Sequence, residues 1–290
     1  MDIFTKIRQT FNQGTLATQI IYINVGIFIL FGLINVMCVL FQVRSVDFIE
    51  YLQMPSSYRL FIRRPWTVIS YMFLHVEFLH ILFNMLWLYW FGRIFLLYFN
   101  ARQLGGLYIT GGIFGAVFFL IAYNIFPYFR NVVGVGFLMG ASASVMAIVF
   151  AISFYRKNHE INLLFFGRVK LIYLALFVFA IDLLSVVSAN SGGHIAHIGG
   201  ALFGILFAMQ YQKGVDLTVF INRLIDRLVN WKKRPARMKV IYKKQESDAA
   251  YNMRKRKEMD TLDDILDKLK QSGYQSLSSE EKKTLFNASK

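Results

Sequence analysis

Charge is scarce in this sequence. Asp, Glu, Lys and Arg make up 17% of its 290 residues, whereas soluble domains carry about a quarter. No charged residue lies between Arg8 and Arg44, and hydrophobic residues reach 56% with 29 phenylalanines among them. One large soluble core does not account for such long uncharged stretches, because each has the roughly 20 apolar residues that a membrane span needs. The composition therefore indicates several membrane spans.

Cysteine is nearly absent as well. Cys38 is the single cysteine and lies inside the first apolar run, so no intrachain disulfide can form and the redox compartment cannot be read from cysteines. The first run is too long for the apolar part of a signal peptide, and no small-residue cleavage site is evident. We expect this run to be retained as a membrane span.

Six apolar runs alternate with polar stretches along residues 1–212. The first loop, residues 43–73, mixes arginines with aromatic residues, which suits a segment in the headgroup region. The sequence predicts an all-α membrane protein with a polar N-terminus at 1–15, a six-span domain at 16–212 and a short soluble helical tail. The predicted spans are Leu16–Gln42, Leu74–Phe99, Leu104–Phe126, Phe137–Tyr155, Leu171–Ala189 and Ile195–Tyr211.

The basic residues predict the orientation of these spans. Cytoplasmic loops carry an excess of Lys and Arg, and the loops after the second and fourth spans are basic, as is the tail, with 19 Lys/Arg against 11 Asp/Glu in residues 213–290. We therefore expect both termini in the cytoplasm, although the arginines of the first loop are an exception to the rule. No basic motif interleaved with aromatic residues supports nucleic-acid binding. The charge of the tail is best explained by a solvated cytoplasmic segment that faces the lipid surface.

The tail divides into two predicted parts. Residues 213–260 form a basic segment that is amphipathic to residue 231 and a flexible charged linker beyond it. Residues 261–290 form a small helical hairpin that needs an unknown partner for stability. Its signals are apolar residues at helical spacing, a C-cap glycine and a capping box, carried by Leu262, Ile265, Leu266, Leu269, Gly273, Ser278 and Glu281.

Polar residues inside the spans need a reason, because burying them in a membrane is expensive. In the predicted topology, spans two, four and six all run from outside to inside. Polar groups on these spans then lie within roughly 3–15 Å of the outer edge, at 1.5 Å per residue. Three helices would thus bring a hydroxyl, imidazoles and an amide to overlapping depths. The intramembrane polar residues are Asn24, Asn35, His75, Glu77, His80, Asn84, Ser142, Ser144, Asp182, His194 and His197.

Ser142 is the candidate nucleophile and His197 the candidate base. Ser142 follows Gly140 in LMGASASVMAI, where small residues let the backbone approach a substrate and a helix N-terminus favours a developing oxyanion. His197 lies in GGHIAHIGGALFG, where Gly200 and Gly204 form a GxxxG face for close packing. Taken alone, helix packing is the stronger explanation of the serine motif, and a buried structural histidine explains His197 equally well.

His80 and Asn84 are four residues apart and therefore share a helix face. Histidine and asparagine both serve as oxyanion-hole donors, and both also serve as interhelical hydrogen-bond donors. The two explanations stay open for this pair. His75, near the predicted interface, is expected to be structural.

Together these motifs resemble the rhomboid family of intramembrane serine proteases. The matching pieces are PWTVISYMFLHVEFLHILFNMLWL, GASA and AHIGGALFG, in the family's order across residues 15–212. The resemblance implies Ser142 as nucleophile and His197 as base in a dyad without an aspartate, with His80, Asn84 and the Ser142 N–H as the oxyanion hole. It implies no metal and no cofactor, and transmembrane protein substrates cleaved near the outer face. We expect a multi-pass protein of a bacterial inner membrane.

Two positions depart from the family's pattern. Ala143 stands where many members have glycine after the serine, and Thr67 follows Trp66 where an arginine is common. Alanine is small, so we expect it to be tolerated. The missing arginine is expected to affect the stability of the first loop more than the chemistry.

Three other functions compete. A membrane metalloprotease is disfavoured because HVEFLH places its histidines five apart rather than in HExxH, and His194 with His197 are too few ligands for zinc. A polytopic transporter would explain Asp182 and the intramembrane histidines, but no internal repeat is found. A catalytically silent rhomboid-like binding factor would be signalled by loss of the serine or the histidine, and neither is lost.

Overall fold

The computed structural model describes residues 2–42, 46–163, 167–230 and 248–288, in two compact units, Met1–Lys232 and Lys233–Lys290. The described part is mostly helical. The first unit contains α1 (Ile3–Gln13), α2 (Leu16–Leu40), α3 (Val46–Glu50), α4 (Tyr58–Arg63), α5 (Thr67–Ser70), α6 (Phe78–Leu96), α7 (Ala101–Ile125), α8 (Ser142–Tyr155), α9 (Leu171–Leu184), α10 (Ser191–Gln212) and α11 (Val219–Asn230). The second contains α12 (Asp248–Ser272) and α13 (Ser279–Ala288).

Four of the described helices, α2, α6, α7 and α10, are long and apolar enough to cross a membrane. They correspond to the first, second, third and sixth predicted spans. The fourth and fifth predicted spans are shorter apolar helices, α8 and α9, of 14 residues each. The prediction was too long there because apolar residues outside the helices adopt other structures. Phe137–Leu138 forms a strand, and residues 185–190 after α9 form turns.

Two boundaries also move around the predicted polar residues. The helix of the second span begins at Phe78 instead of Leu74, because Tyr71–Phe73 forms a 3-10 turn and Leu74 is extended. His75 therefore lies in the connection that precedes α6. The helix of the sixth span, α10, begins at Ser191 instead of Ile195. His194 and His197 therefore both lie within its first two turns.

The prediction of a purely helical fold missed two short antiparallel strand pairs. β1 (Met54–Pro55) pairs with β2 (Phe137–Leu138), which ties the first loop to the segment just before Ser142. β3 (Glu160–Leu163) pairs with β4 (Gly167–Lys170) in the connection between α8 and α9. Each strand has two to four residues, which is too short for an alternating hydrophobic pattern to reveal.

Helix α8 lies at the centre of the first unit. Every residue from Ala143 to Ser153 is buried, in contact with α6, α7, α9 and α10. Glycines on the neighbouring helices allow this close approach. A methyl group on Gly200 would overlap the carbonyl oxygen of Ala143, and one on Gly204 would overlap that of Ala147. The predicted GxxxG face of the last span therefore packs directly on the helix that begins with Ser142.

The first loop folds against its own backbone. The Arg64 guanidinium lies 3.9 Å from the centre of the Tyr51 ring and donates to the Glu50 carbonyl at 3.3 Å. Trp66 Nε1 donates to the Tyr51 carbonyl at 2.8 Å. Thr67, which is fully buried, donates to the Arg64 carbonyl at 2.6 Å. Arg64 thus gives this loop an arginine contact even though Thr67 follows Trp66.

In the tail unit, the predicted capping box is confirmed. The Ser278 N–H donates to Glu281 Oε2 at 2.6 Å, and the Glu281 N–H donates to Ser278 Oγ at 3.3 Å. The hydrogen bond from the Ser278 N–H lowers the pKa of Glu281, and the hydrogen bond from Lys268 lowers it further with a smaller effect. Gly273 has the positive φ of +75° expected of a C-cap glycine. The hairpin therefore follows the predicted local rules.

The predicted linker was wrong in part, because α12 begins at Asp248, well before residue 261. Residues 248–260 are rich in Ala, Met, Arg, Lys and Glu, which are strong helix formers. The high charge that suggested a linker is compatible with a solvated helix. Residues 231–247, where the rest of that linker was predicted, lie outside the described residues. Within 213–230 the predicted amphipathic segment is the helix α11.

The contact between α10 and α8 yields a stability prediction. Gly204→Ala places a methyl group against the backbone of Ala147, and overpacking of this kind costs about 1–3 kcal/mol. We expect a lower thermal unfolding midpoint in detergent. Gly26→Ala is the matched control, because nothing lies within 4 Å of a methyl group there and alanine favours helix. Equal midpoints for the two variants would contradict the packing described here.

Candidate active site

The first unit contains a cavity of about 690 Å³ between the ends of α6, α8 and α10. Its lining includes His80 and Asn84 from α6, Ser142 from α8 and His197 from α10. Apolar side chains, among them Phe83, Trp87 and Met146, form much of the rest. The structure thus brings the four predicted chemical residues, which are up to 117 positions apart in the chain, around one space.

The turn before Ser142 is held in an unusual backbone conformation. Gly140 has φ +119°, a region that L residues with a side chain rarely adopt. Its N–H donates to the Tyr71 carbonyl at 2.9 Å, and the next N–H, that of Ala141, donates to His75 Nε2 at 3.3 Å. His75 is buried, with 4% of its surface exposed. His75 therefore lies where a structural role was predicted, and it supports the turn that presents Ser142.

His80 lies against the same turn. A methyl group on Gly140 would lie 2.7 Å from Cε1 and 2.9 Å from Nε2 of the His80 ring, so only glycine leaves room for the imidazole. The rings of His75 and His80 meet edge to face at 5.1 Å between centres. Asn84 Nδ2 donates to the His80 carbonyl at 2.9 Å, one turn earlier on α6, and its second N–H is left for another acceptor. Both residues line the cavity.

Ser142 is the first residue of α8 and is half-buried, whereas Ala143 and Ser144 after it are buried. The first N–H groups of a helix have no intrahelical acceptor, and they mark the positive end of the helix dipole. A nucleophile at this position shares its surroundings with donors for a negative oxygen. Ala143 stands where the resemblance led us to expect glycine, and it packs against Gly115 and Gly200.

His197 has a partner that the sequence did not predict. Its Nδ1 lies 2.8 Å from Oδ1 of Asp182 on α9, and Nδ1 of His194 lies 2.8 Å from the same oxygen. Asp182 is 4% exposed. The sequence had marked Asp182 and His194 as intramembrane polar residues without a role in the site. Their spacing to His197 carries no recognisable motif, because the contact crosses the turn between two helices.

The same three side chains form a possible metal-binding group. One ligand atom from each of Asp182, His194 and His197 lies within 4.8 Å of the others. Asp182 thus supplies a third ligand, which the argument from His194 and His197 alone did not count. The 2.8 Å distances are those of hydrogen bonds, and each is fully explained by a ring N–H and a carboxylate oxygen. A chelator test separates the two interpretations.

Comparison with known proteins supports one family. Residues 63–213, slightly more than half of the chain, match the family described as "Rhomboid domain". Residues 245–290 match a family of unknown function, DUF6576. RHOMBOID-like protein 12, mitochondrial, of Arabidopsis thaliana is 30% identical over 161 residues, which cover 52% of this chain and 48% of that protein. The chain therefore spans about half the length of this curated relative.

The support of the Ser142 turn can be tested at His75. His75→Ala removes the acceptor of the buried Ala141 N–H, and an unsatisfied buried donor costs about 1–3 kcal/mol. We expect a lower thermal unfolding midpoint in detergent. His75→Gln offers a carbonyl oxygen in place of Nε2 and should recover part of the loss. If both variants unfold with the wild type, the hydrogen bond does not hold the turn.

Proposed function

The chain belongs to the rhomboid family, and on that premise we propose that it is an intramembrane serine endopeptidase that cleaves membrane-spanning segments of other proteins. The observation that carries the proposal is the shared cavity of Ser142, His197, His80 and Asn84. An integral membrane location follows from the family and from the apolar helices. The proposed residues each have a separate role in acyl transfer.

In the proposed mechanism, His197 takes the proton from Ser142 Oγ as that oxygen attacks the scissile carbonyl. The carbonyl oxygen becomes negative and is stabilised by His80, by the free N–H of Asn84 and by the Ser142 N–H at the start of α8. His197 then protonates the leaving amine. Water attacks the acyl-enzyme with His197 again as base, and Ser142 is regenerated.

Six membrane spans, α2 and α6 to α10, complete the proposal. At 1.5 Å per residue, the 14 residues of α8 extend about 21 Å, less than the roughly 30 Å of hydrocarbon. Because α8 is buried among other helices, its short length does not expose backbone to lipid. In this proposal Ser142 lies below the membrane surface, and the water that deacylation needs enters through the cavity.

We propose an orientation with both termini in the cytoplasm. The basic residues Arg93, Arg102, Arg156 and Lys157 then face the cytoplasm, in agreement with the positive-inside rule, and Ser142 lies toward the outer face. A bacterial inner membrane stays a prediction, since the curated relative is mitochondrial.

Cleavage of a transmembrane reporter by purified protein in detergent tests the mechanism. We expect the wild type to cleave and to react with a serine-directed fluorophosphonate. Ser142→Ala and His197→Ala should each lose both activities, by a factor of about 10⁶ in kcat where nucleophile and base act as a unit.

The controls separate the competing interpretations. EDTA should leave cleavage unchanged, and loss of activity with EDTA would favour the metal group at Asp182, His194 and His197. Cleavage that survives Ser142→Ala would overturn the serine mechanism. A wild type that neither cleaves nor reacts with the fluorophosphonate would favour a silent membrane-protein-binding factor.

The oxyanion assignment gives a separate prediction. His80→Ala and Asn84→Ala each remove one donor, and loss of one such donor lowers kcat by about 10²–10³, with little change in KM. Asn84 also donates to the His80 carbonyl. Asn84→Asp is therefore a companion variant that retains the size of the side chain and removes its N–H donors. Unchanged kcat in all three variants would leave only the structural explanation for this pair.

A further inference from the structure

Asp182 is the one buried carboxylate among the residues whose exposure the structure describes. It lies near the end of α9, a helix that otherwise presents large apolar side chains outward, such as Phe177 at 64% and Leu184 at 82% exposure. An ionised group in such a place is expensive unless hydrogen bonds compensate it. A buried Asp182 therefore requires compensating contacts from a neighbouring helix.

The compensating contacts come from α10. His194 and His197 are three residues apart and share one face of that helix. Their Nδ1 atoms each lie 2.8 Å from Oδ1 of Asp182. An ionised carboxylate only accepts hydrogen bonds, so each Nδ1 must carry a proton and donate it. In neutral His197 this leaves Nε2 without a proton, which is the state that a general base requires.

The two histidines differ in whether they line the cavity. His197 lines the cavity with Ser142, whereas neither His194 nor Asp182 is among the lining residues. Asp182 therefore lies behind His197 with respect to the cavity. His194 is the second donor to the same oxygen and offsets the buried charge without reaching the cavity.

We propose that Asp182 is a positioning residue for His197, which extends the expected Ser–His dyad to a triad of side chains from α8, α10 and α9. This inference rests on the proposed function of Ser142 and His197. The proton of Ser142 moves to Nε2 of His197, and the Nδ1 proton stays on the ring. Asp182 is not protonated in the cycle; it fixes the tautomer and the ring orientation and stabilises the imidazolium that forms.

Asp182→Asn tests the proposal, because the amide has nearly the same shape but no charge and one donating side. We expect kcat for the transmembrane reporter to fall by about 10⁴, as for the same substitution in a serine-protease triad, with KM little changed. His194→Gln is the matched control, since it replaces the other imidazole by an amide and leaves the Asp182–His197 contact. Its loss of kcat should be clearly smaller.

A second measurement reads the tautomer directly and does not depend on cleavage. In protein labelled with ¹⁵N-histidine and purified in detergent, wild-type His197 should have a protonated Nδ1 and an unprotonated Nε2. In Asp182→Asn, the share of this tautomer should decrease. His194→Gln and His197→Gln assign the signals to the two rings.

Three outcomes would overturn the proposal. They are an unchanged kcat in Asp182→Asn, a His197 tautomer that is the same in the variant, and ring signals of a metal-bound histidine that EDTA removes. Failure of the proposed function is distinguishable, because it requires a wild type that neither cleaves nor reacts with the fluorophosphonate. In that case the ¹⁵N measurement still decides whether Asp182 fixes the His197 ring.

Discussion

The close contact between α8 and its neighbours is the constraint on which the rest of the first unit depends. Without side chains at Gly200 and Gly204, the backbone of α10 reaches the carbonyl oxygens of Ala143 and Ala147. Gly111 and Gly115 allow the same approach from α7. In a membrane, where lipid is as apolar as the side chains, packing of this kind replaces the hydrophobic effect as the main source of association. The relative position of Ser142 and His197 follows from this contact, since each residue is within one turn of it.

A second set of contacts fixes the turn that precedes α8. The segment 139–141 would be an ordinary flexible connection by its composition, yet the N–H groups of Gly140 and Ala141 donate to Tyr71 and His75, and β1 pairs with the strand before it. These partners all come from the first loop and the start of the second span. The loop therefore contributes to the site although none of its described residues, 46–73, lines the cavity. Arg64 and Trp66 contact the loop's own backbone and are not among the residues that line the cavity.

Much of this arrangement could be predicted from the sequence. Polar residues at matched depth in the apolar runs marked Ser142, His197, His80 and Asn84 as candidates, and the resemblance to a known family implied their roles. The GxxxG spacing predicted the packing face of α10. The capping box at Ser278 and Glu281 was readable because it is local. The contacts that escaped prediction depend on distant residues or on backbone dihedrals. Asp182 contacts His197 only after the chain has reversed direction between α9 and α10. In sequence, Gly140 looks the same as an ordinary glycine in a small-residue motif, so its positive φ could not be predicted. Helix ends at Phe78 and Ser142 shifted because apolar residues that suit a span can also form a turn or a strand.

The short length of α9 has a consequence for the surrounding lipid. Fourteen residues extend about 21 Å, and most of the large side chains on this helix, including Tyr173 and Leu184, are exposed. In the proposed topology, lipid next to α9 meets an apolar surface shorter than the bilayer core, a hydrophobic mismatch that a membrane relieves by local thinning. If the proposed function holds, we expect a transmembrane substrate on this side of the protein to pass from a bilayer of ordinary thickness into a thinner one. We then expect its outer end to lose part of its hydrocarbon cover and to become hydrated before it reaches the cavity.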